Sequence, residues 1–508
     1  MSLARTWSVA LSGVDGHLVE VEADLSNQQP DFRIIGLADK ALGEAAQRVH
    51  NAAANSGLEL PRRKLTVNLS PANLPKHGSG FDVAIAVAAL ATEGTWNAAS
   101  LMSTAHVGEL GLDGRLRPVP GVLPAVVAAA RAGLRRVVVP LANLEEASLV
   151  DTIEVHGAAS LAAVAALHGA EVVVDDVDAV QLNAEPVPAP PRVDLSDVVG
   201  QPEAVEALVV AAVGGHHLLM SGPPGAGKTM LARRLPGILP DLDDADALAC
   251  ASIRSLAGHA VTDLSRTPPF EAPHHSVSVA ALVGGGSRSV RPGAIARASG
   301  GVLFLDEAGE FQTSALDALR QPLENGTIEI HRTGFSALFP ARFQLILATN
   351  PCPCGNYGVR GGTCVCTPMA IRRYLGRLSG PLLDRIDIEL HLARVSVADR
   401  VGHAAPTSTA EARARVAEAR RHSAARLAGT PWKLNAEVPG TWLRDGPSAP
   451  SPTVRRALDV ALQRGSLTLR GYDRVLRLAW SLADLAQRPQ LSIDDVGRAL
   501  FLKRGAGE

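Results

Sequence analysis

Short apolar runs alternate with alanine-rich segments along the first 185 residues of the chain. Lys64–Leu69 and Arg135–Pro140 have the length and side chains of strands, whereas Ala125–Ala132 has the composition of a helix. Repeated switching between the two patterns is typical of a sheet covered by helices. We therefore predict an α/β domain over residues 1–185.

A second alternation extends from Val198 to about Arg394. Strand-like apolar runs occur at His217–Met220, Gly301–Leu305 and Phe343–Ala348, and helical segments separate them. This order is typical of a parallel nucleotide-binding sheet. We predict that residues 197–395 form this second domain.

Two changes in composition mark the predicted domain boundaries. Glu185–Pro191 is rich in proline, which lacks an amide donor and favours extended backbone, so residues 186–196 are predicted to be a linker. His403–Thr409 and Asp445–Thr453 are rich in Pro, Ser, Gly and Ala, and helical patterns flank them. Residues 396–508 are therefore predicted to form a helical domain.

Length and composition limit the classes of protein that need consideration. The 508 residues are enough for about three domains at roughly 150 residues each. A net charge of −2 and an aromatic content of 3% give no global basis for binding nucleic acid, so any DNA contact must be local. No signal-peptide pattern or apolar run of about 18 residues is found, which predicts a cytoplasmic protein without a membrane partner.

Gly222–Thr229 matches the pattern G-x-x-x-x-G-K-[ST] between a predicted strand and a predicted helix. Glycines let backbone amides curl around phosphates, Lys228 neutralises the β- and γ-phosphates, and the Thr229 hydroxyl ligates Mg²⁺. The alternative is a plain glycine turn that enters a helix. The predicted ATP-binding residues are Gly222, Pro223, Pro224, Gly225, Ala226, Gly227, Lys228, Thr229 and Met230.

Carboxylates and an amide follow two later strands. The run Gly301–Leu305 leads into Asp306, which is predicted to hold Mg²⁺, and Glu307, which is predicted to polarise the attacking water. Asn350 closes another strand and is predicted to orient the same water. For Asn350 the alternative is a turn residue before a proline.

These residues together resemble AAA+ ATPases. In that family Asn350 would be the sensor 1 residue, and Arg385 would be the arginine finger that reaches a neighbouring subunit of a hexameric ring. Arg470, on a predicted lid helix, would be the sensor 2 arginine. The alternative for either arginine is a solvated or salt-bridged surface cation.

Five further motifs resemble the magnesium-chelatase-like ComM/YifB family over essentially the whole chain. The motifs are Ala272–Ser276, Leu282–Gly286, Arg291–Gly293, Pro351–Gly355 and Arg372–Asp387. The resemblance implies a helix-2 insert at about 273–300 and a presensor hairpin at about 327–341, both facing a ring pore.

The resemblance also implies a function, because the family includes a helicase that drives branch migration of DNA during recombination. We therefore expect an ATP-dependent motor, a homo-hexamer, acting on recombination intermediates. A magnesium-chelatase-type motor subunit and an ATP-driven remodeller of proteins are the alternatives. All three share the ATP site and differ in what stimulates hydrolysis.

Two features weaken the expected contact with DNA. Glu271 stands before Ala272 where a basic residue would be expected, so this edge is a poorer contact for phosphate. The predicted hairpin segment Ile328–Thr333 offers only His331 and Arg332 as positive side chains for phosphate. An exposed hairpin face without a ligand is the alternative.

The first domain carries a second resemblance. Val107–Gly121 and Arg131–Pro140 resemble the Lon protease domain (ribosomal S5 domain 2-like). Lon chemistry needs a serine nucleophile and a lysine base, but Gly80 and Leu123 stand at those positions. Ser79 is adjacent and is interpreted as a turn residue, so we predict a Lon-like domain that is not a protease.

Four of the five cysteines, Cys352, Cys354, Cys364 and Cys366, lie close together after Asn350. Four thiolates are sufficient for a closed tetrahedral Zn²⁺, which would stabilise a glycine-rich loop. Half-buried thiols without a metal are the alternative, because C-x-C pairs are less diagnostic than C-x-x-C pairs.

The remaining histidine and cysteine motifs are interpreted as structural. His274 and His275 have no carboxylate or cysteine at ligand spacing in the sequence, so they are assigned to the structure of the insert. Cys250 is predicted to belong to the core.

Overall fold

The computed structural model describes residues 2–36, 43–93, 96–181, 193–286, 290–332, 335–359, 362–395 and 406–504. The chain is an α/β protein with a parallel central sheet, so the predicted fold class is confirmed. Most of the predicted linker, residues 186–192, lies outside the described residues.

The first sheet is mixed and has the strand order β3-β4-β2-β1-β5-β8-β9. β1 and β2 pair antiparallel, as do β2 and β4, whereas β5, β8 and β9 continue in parallel from β1. The first nine strands are β1 Ser2–Ser12, β2 Asp15–Ser26, β3 Asp31–Ile35, β4 Lys64–Ser70, β5 Thr104–His106, β6 Glu109–Leu110, β7 Leu116–Arg117, β8 Arg136–Pro140 and β9 Glu154–Ala158.

Helices cover both faces of this sheet. Every residue of the helix Asp82–Leu90 is buried, because it packs between β1, β2 and a second helix. The opposite face is covered by the helix Val122–Arg131, whose valines and alanines pack on β2 and β8. The helices of this region are Ala45–Asn55, Asp82–Leu90, Ala98–Met102, Val122–Arg131, Leu144–Ala147 and Leu161–Leu167, with a 3₁₀ turn at Leu141–Asn143.

The second sheet is entirely parallel and has the order β11-β14-β17-β10-β18. β14 and β17 are buried along their whole length, which explains their continuous apolar sequence. β14, β17 and β10 are neighbours, so the residues that follow them meet at one edge of the sheet. The strands are β10 Leu218–Ser221, β11 Phe270–Glu271, β12 Gly284–Gly285, β13 Arg291–Pro292, β14 Val302–Leu305, β15 Thr327–Arg332, β16 Phe335–Pro340, β17 Gln344–Thr349 and β18 Ile388–His391.

Two small antiparallel ribbons project from this region. β15 and β16 form a hairpin where the presensor hairpin is predicted, and β12 and β13 form a ribbon inside the predicted insert. The helices of the region are Pro202–Gly214, Lys228–Ala232, Leu235–Ile238, Asp244–Ala257, Val279–Val283, Ala294–Arg297, Thr313–Asp317, Arg320–Asn325, Pro368–Leu375 and Gly380–Leu383, with 3₁₀ turns at Leu195–Asp197 and Ala308–Glu310.

Residues after 405 are helical, apart from the connecting turns. The helix Thr409–Arg426 begins at a capping box in which Ser408 and Glu411 satisfy each other's backbone amides. It packs with Leu469–Leu485 against the buried helix Pro202–Gly214, so these helices share one core with the second sheet. The helices are Thr409–Arg426, Gly440–Asp445, Pro452–Gln463, Leu469–Leu485 and Ile493–Arg504, with a 3₁₀ turn at Asn435–Glu437. None of the described helices combines the length and the apolar character that crossing a membrane requires.

The first sheet and its helices contact the second region through the hairpin β15–β16 and the helix Asp244–Ala257. The hydroxyl of Ser12 donates to the carbonyl of Ser336 on the hairpin at 2.9 Å. Gly13, with φ +68°, approaches the carbonyl of Leu338 so closely that a Cβ would lie 1.9 Å from its oxygen. A second contact between the two regions is apolar. In it, the fully buried Leu123 packs against Ala251 and Val261.

Candidate active site

The loop that follows β10 depends on glycine at three positions. Gly225 and Gly227 have φ of +80° and +85°, the left-handed region that costs a side chain roughly 1–2 kcal/mol. A Cβ at Gly222 would lie 2.3 Å from the carbonyl oxygen of Leu392. The sequence therefore folds as a tight loop between β10 and the helix Lys228–Ala232.

Lys228 opens the short helix Lys228–Ala232 and folds back over the loop. Its ammonium donates to the carbonyls of Gly222 at 2.6 Å and Pro223 at 3.1 Å, and to Oδ1 of Asn350 at 3.0 Å. The residue is only 8% exposed. Burial lowers the pKa of this ammonium, and the nearby carboxylates of Asp306 and Glu307 oppose that shift.

Thr229 and Asp306 face each other across the edge of the sheet. The Thr229 hydroxyl donates to Oδ2 of Asp306 at 2.7 Å, and Oδ1 of Asp306 accepts from the backbone amide of Glu307 at 2.9 Å. A hydroxyl beside a carboxylate is a ligand pair that Mg²⁺ favours. The structure thus brings together the two residues that the sequence assigns to Mg²⁺.

Glu307 lies directly after Asp306 with an unusual backbone. Its φ of +52° places a non-glycine residue in the left-handed region. Its carboxylate Oε2 lies 3.2 Å from Nδ1 of His275, with the two side chains 53% and 34% exposed. The sequence offers no carboxylate at ligand spacing from His275, whereas the structure places beside it a carboxylate that follows a different strand.

Two further residues at this edge were missed by sequence reasoning. The Gln201 amide donates to the carbonyl of Ala226 at 2.8 Å and so supports the loop. Tyr374 is buried against Gly309, where a Cβ would lie 2.4 Å from its ring, and it therefore backs the turn that follows Glu307. Neither residue belongs to a local pattern, so only their position in the fold identifies them.

The two candidate arginines have partners outside the phosphate loop. Arg385 is 9% exposed and pairs with Glu324, and burial lowers the pKa of its guanidinium. Arg470, at the start of the helix Leu469–Leu485, is more than half exposed and lies 3.3 Å from Asp384. Their roles between subunits or in a lid stay predictions.

A buried ion pair fixes the helical region next to Arg385. Arg474 is 8% exposed and pairs with Asp387, and it also donates to the carbonyl of Arg385 at 2.8 Å. Burial alone would raise the pKa of Asp387, but Arg474 and His216 lower it well below its usual range. Removing either partner would leave a buried charge, so this pair sets the position of the segment that carries Arg385.

The four clustered cysteines converge on one point. Sγ of Cys352 lies 3.4 Å from Cys354 and 3.8 Å from Cys364, Cys354 lies 3.7 Å from Cys364, and all four sulfurs, with that of Cys366, lie within 4.8 Å of one another. A tetrahedral site with Zn–S of about 2.3 Å requires sulfurs about 3.8 Å apart. The donor set therefore fits a closed four-thiolate metal site.

Backbone amides prepare this cluster for a metal and connect it to the phosphate loop. The amide of Tyr357 donates to Sγ of Cys352 at 3.3 Å, and the amides of Asn356 and Val365, with the thiol of Cys352, lower the pKa of the Cys354 thiol to about 6. Gly355, with φ +76°, packs so tightly on the phosphate loop that a Cβ would lie 2.5 Å from Cδ of Pro224. The cysteine loop, defined here as residues 351–367, thus contacts the nucleotide site directly.

Other predicted residues have identifiable partners. Glu271 pairs with Arg297 at 3.0 Å, so its negative charge is matched within the insert. His331 is exposed and lies 3.5 Å from Glu329. The side chain of Arg332 lies outside the described residues. Cys250 is half-buried rather than fully in the core, and burial raises the pKa of its thiol to about 11.

Ser79, the serine considered for peptidase chemistry, and the nearby Lys76 bond different groups. Ser79 donates to Glu109, whereas the fully buried Lys76 donates to the carbonyls of Gly36 and Leu69 at 3.0 Å. Leu123, which the resemblance places where Lon has its lysine, packs against Ala251 and Val261. The absence of peptidase activity stays a prediction.

Comparisons with known proteins identify the family. The models for "Magnesium chelatase, subunit ChlI", "Subunit ChlI of Mg-chelatase" and "Magnesium chelatase, subunit ChlI C-terminal" match residues 194–400, 21–143 and 406–503. Competence protein ComM of Haemophilus influenzae is 41% identical over 98% of this chain and 97% of its own. The chain belongs to the magnesium-chelatase-like ComM/YifB family of AAA+ ATPases.

Other relatives of this family extend over the same length. YifB of Escherichia coli, which is uncharacterised, is 39% identical over 96% of this chain and 94% of its own. An uncharacterised protein of Mycobacterium tuberculosis is 49% identical over the whole of both chains. Membership of the family implies that ATP and Mg²⁺ are bound, and the geometry around Lys228 and Asp306 fits both.

Proposed function

We propose that this protein is an ATP-hydrolysing motor that acts as a homo-hexameric ring on branched DNA intermediates of recombination. One observation carries the ATPase part: Lys228, Thr229, Asp306, Glu307 and Asn350 meet where three neighbouring parallel strands end. The choice of DNA is supported by the family, which includes a branch-migration helicase, and by a relative named a competence protein.

The chain's own residues divide the chemistry among them. Lys228 leaves the carbonyls of Gly222 and Pro223 to bind the β- and γ-phosphates, because a phosphate is a stronger partner for an ammonium than a carbonyl is. Glu307 and Asn350 orient the water that attacks the γ-phosphorus in line with the leaving oxygen. Mg²⁺, held by Thr229 and Asp306, supplies positive charge to the phosphates.

Arg385 is proposed to complete the site of the neighbouring subunit. Its pairing with Glu324 and its 9% exposure mean that this ion pair must open at the subunit interface. Subunit mixing tests the idea. Lys228→Ala and Arg385→Ala proteins are each expected to be inactive, whereas a mixture regains hydrolysis, because some interfaces combine an intact loop with an intact arginine. A mixture that stays inactive argues against a finger supplied by the neighbour.

We also propose that the cysteine loop holds one structural Zn²⁺. Sulfur separations of 3.4–3.8 Å support it, and the loop has no helix or strand of its own in the described residues between Pro351 and Thr367. Elemental analysis of protein purified without added zinc should find about one equivalent per chain. Well under one equivalent of zinc per chain would contradict the proposed metal site.

The main experiment is steady-state ATP hydrolysis without DNA and with single strands, duplex or a four-way junction. Lys228→Ala and Glu307→Gln serve as inactive controls. We expect the junction to stimulate hydrolysis several-fold and branches to migrate only when Lys228 is intact. If every DNA leaves the rate unchanged, the DNA part of the proposal fails while the ATPase part stands.

A chelatase-type motor is the second candidate, because the three matching family models are named for a magnesium chelatase subunit. Stimulation of hydrolysis by a porphyrin, with no response to DNA, would favour this alternative. Stimulation by an unfolded protein alone would favour a protein remodeller.

A further inference from the structure

Two side chains of one short segment contact the turn that follows Glu307. Tyr374 is 4% exposed and packs on Gly309, where a Cβ would lie 2.4 Å from Cζ of its ring. Arg377 donates to the carbonyl of Gly309 at 2.5 Å and to Oε2 of Glu310 at 3.1 Å. A ring and a guanidinium therefore hold the same turn.

This turn determines the direction of the Glu307 carboxylate. Glu307 has φ +52° and ψ +45°, a left-handed conformation that is unfavourable for a residue with a side chain. The amide of Glu310 donates to the carbonyl of Glu307 at 2.7 Å, which closes the turn. Contacts that hold Gly309 and Glu310 therefore also hold the backbone of Glu307 in this conformation.

Tyr374 also reaches the end of β17. Burial raises the pKa of the Tyr374 hydroxyl, and hydrogen bonds with the side chain of Thr349 and the backbone of Asn350 oppose that rise. Thr349 is the last residue of β17 and is 3% exposed. Because β14 and β17 are neighbours in the sheet, one ring spans the distance between their ends. It therefore contacts both segments that carry a predicted water-orienting residue.

The segment follows directly from the cysteine loop. Thr367, the last residue of that loop, caps the helix Pro368–Leu375 by accepting from the amide of Ala370 at 3.2 Å. Arg373 on this helix is exposed, whereas Arg377 is bonded to the turn. Two arginines four residues apart thus differ in their contacts, and Arg373 serves as a matched control for Arg377.

We propose that Tyr374 and Arg377 are positioning residues for ATP hydrolysis, which hold Glu307 and Asn350 in the relative arrangement that orients the attacking water. The inference rests on the proposed ATPase function and adds two residues to its site. Because they act through Glu307 and Asn350, their loss slows hydrolysis without weakening the binding of ATP. Loss of a residue needed only for folding would lower nucleotide binding together with the rate.

The first test compares Arg377→Ala, Arg377→Lys and Arg373→Ala with the natural protein. We measure kcat and KM for ATP in the absence of DNA. Arg377→Ala should lower kcat several-fold and leave KM unchanged. Arg377→Lys, whose ammonium can donate to the carbonyl of Gly309, should recover most of the lost rate. Arg373→Ala should behave as the natural protein.

The second test separates the two contacts of Tyr374. Tyr374→Phe keeps the ring on Gly309 but loses the hydroxyl, and kcat should fall several-fold. Tyr374→Leu loses both contacts, and kcat should fall further, by about tenfold in total. Binding of a fluorescent ATP analogue and the thermal unfolding curve show whether each variant is folded. Affinity for the analogue should equal that of the natural protein in both variants.

A double substitution shows whether Arg377 acts through Glu307. We measure single-turnover hydrolysis in a Glu307→Gln background with and without Arg377→Ala. The added substitution should slow this residual rate by less than it slows the natural protein, because the carboxylate that Arg377 positions is already absent. Equal slowing in the two backgrounds overturns the inference. A natural kcat in Arg377→Ala and Tyr374→Leu, or a parallel loss of nucleotide binding in both, also overturns it.

The inference and the proposed function fail in distinguishable ways. A natural protein that hydrolyses ATP but ignores all DNA contradicts the proposed substrate, yet the rates without DNA still decide the roles of Tyr374 and Arg377. Hydrolysis that survives Lys228→Ala contradicts the ATP site itself and the inference with it.

Discussion

The nucleotide site draws its residues from three strands that are far apart in the chain, whereas the cysteine loop draws all its sulfurs from residues 352–366. Strand order and buried apolar packing fix the first, so it keeps its shape without a ligand. The second has no helix or strand in its described residues, so the Zn²⁺ proposed for it would supply the stability that packing supplies elsewhere. This difference predicts that substitutions in the nucleotide site change ATP hydrolysis, whereas substitutions of the cysteines change the zinc content.

Glu307→Gln should separate the two regions most completely. We expect hydrolysis to fall by about 100-fold or more, because an amide cannot accept the proton of the attacking water. ATP binding and zinc content should stay unchanged. Hydrolysis assays, titration with a fluorescent nucleotide and elemental analysis give the three values. A loss of zinc in this variant would mean that the regions are not independent.

Asn350→Ala alters the residue between the two regions. The Oδ1 atom of Asn350 accepts a hydrogen bond from the Lys228 ammonium at 3.0 Å, and Asn350 precedes Cys352 by two residues. We expect about tenfold slower hydrolysis from the lost orientation of water and of Lys228, with zinc retained. Asn356→Ala is the matched control, because it keeps the backbone amide that bonds Cys354.

Cys352→Ser removes the fully buried member of the cluster. The variant should lose its zinc and become sensitive to limited proteolysis between residues 351 and 367. Hydrolysis should fall several-fold, because the loop packs on Pro224. Cys250→Ser, which alters the remote thiol, should keep the full metal content. Equal zinc in both variants would contradict the assignment of ligands.

Gly355→Ala should have the smallest effect and should test the contact itself. Gly358→Ala is its control, because φ is +71° there but a Cβ meets nothing within 4 Å. Both variants carry backbone strain of roughly 1–2 kcal/mol, yet only Gly355→Ala presses on Pro224. We expect nucleotide affinity to weaken two- to threefold beyond the control, with zinc retained in both. Equal nucleotide affinities in the two variants would show that the packing of Gly355 on Pro224 does not affect nucleotide binding.

The same contrast explains what the sequence could predict. The loop 222–229 is local in the sequence, and the structure brings Asp306 and Asn350 to the same edge because each follows an apolar strand of a parallel sheet. The cysteines cluster in the sequence, so their convergence was also within reach. The family resemblance supplied the hairpin and the insert, and the structure has a β-hairpin and a ribbon at those positions.

Other contacts had no signal in the sequence. His275 and Glu307 lie at the ends of separate segments, and their meeting depends on the pairing of β11 with β14. Gln201 and Tyr374 act through contacts with Ala226 and Gly309 that no periodicity encodes. The pairing of Arg385 with Glu324 was equally unpredictable, because it depends on how two short helices pack.

Two contacts between the first and second regions affect where the chain can be truncated. Gly13 packs closely on Leu338, and Leu123 is buried against Ala251 and Val261. A truncated protein that starts near residue 193 would keep the whole ATP site. It would also expose Ala251 and Val261 to solvent, so we expect such a fragment to aggregate unless these two residues are replaced by polar ones. The packing of the first region therefore keeps these apolar side chains away from water.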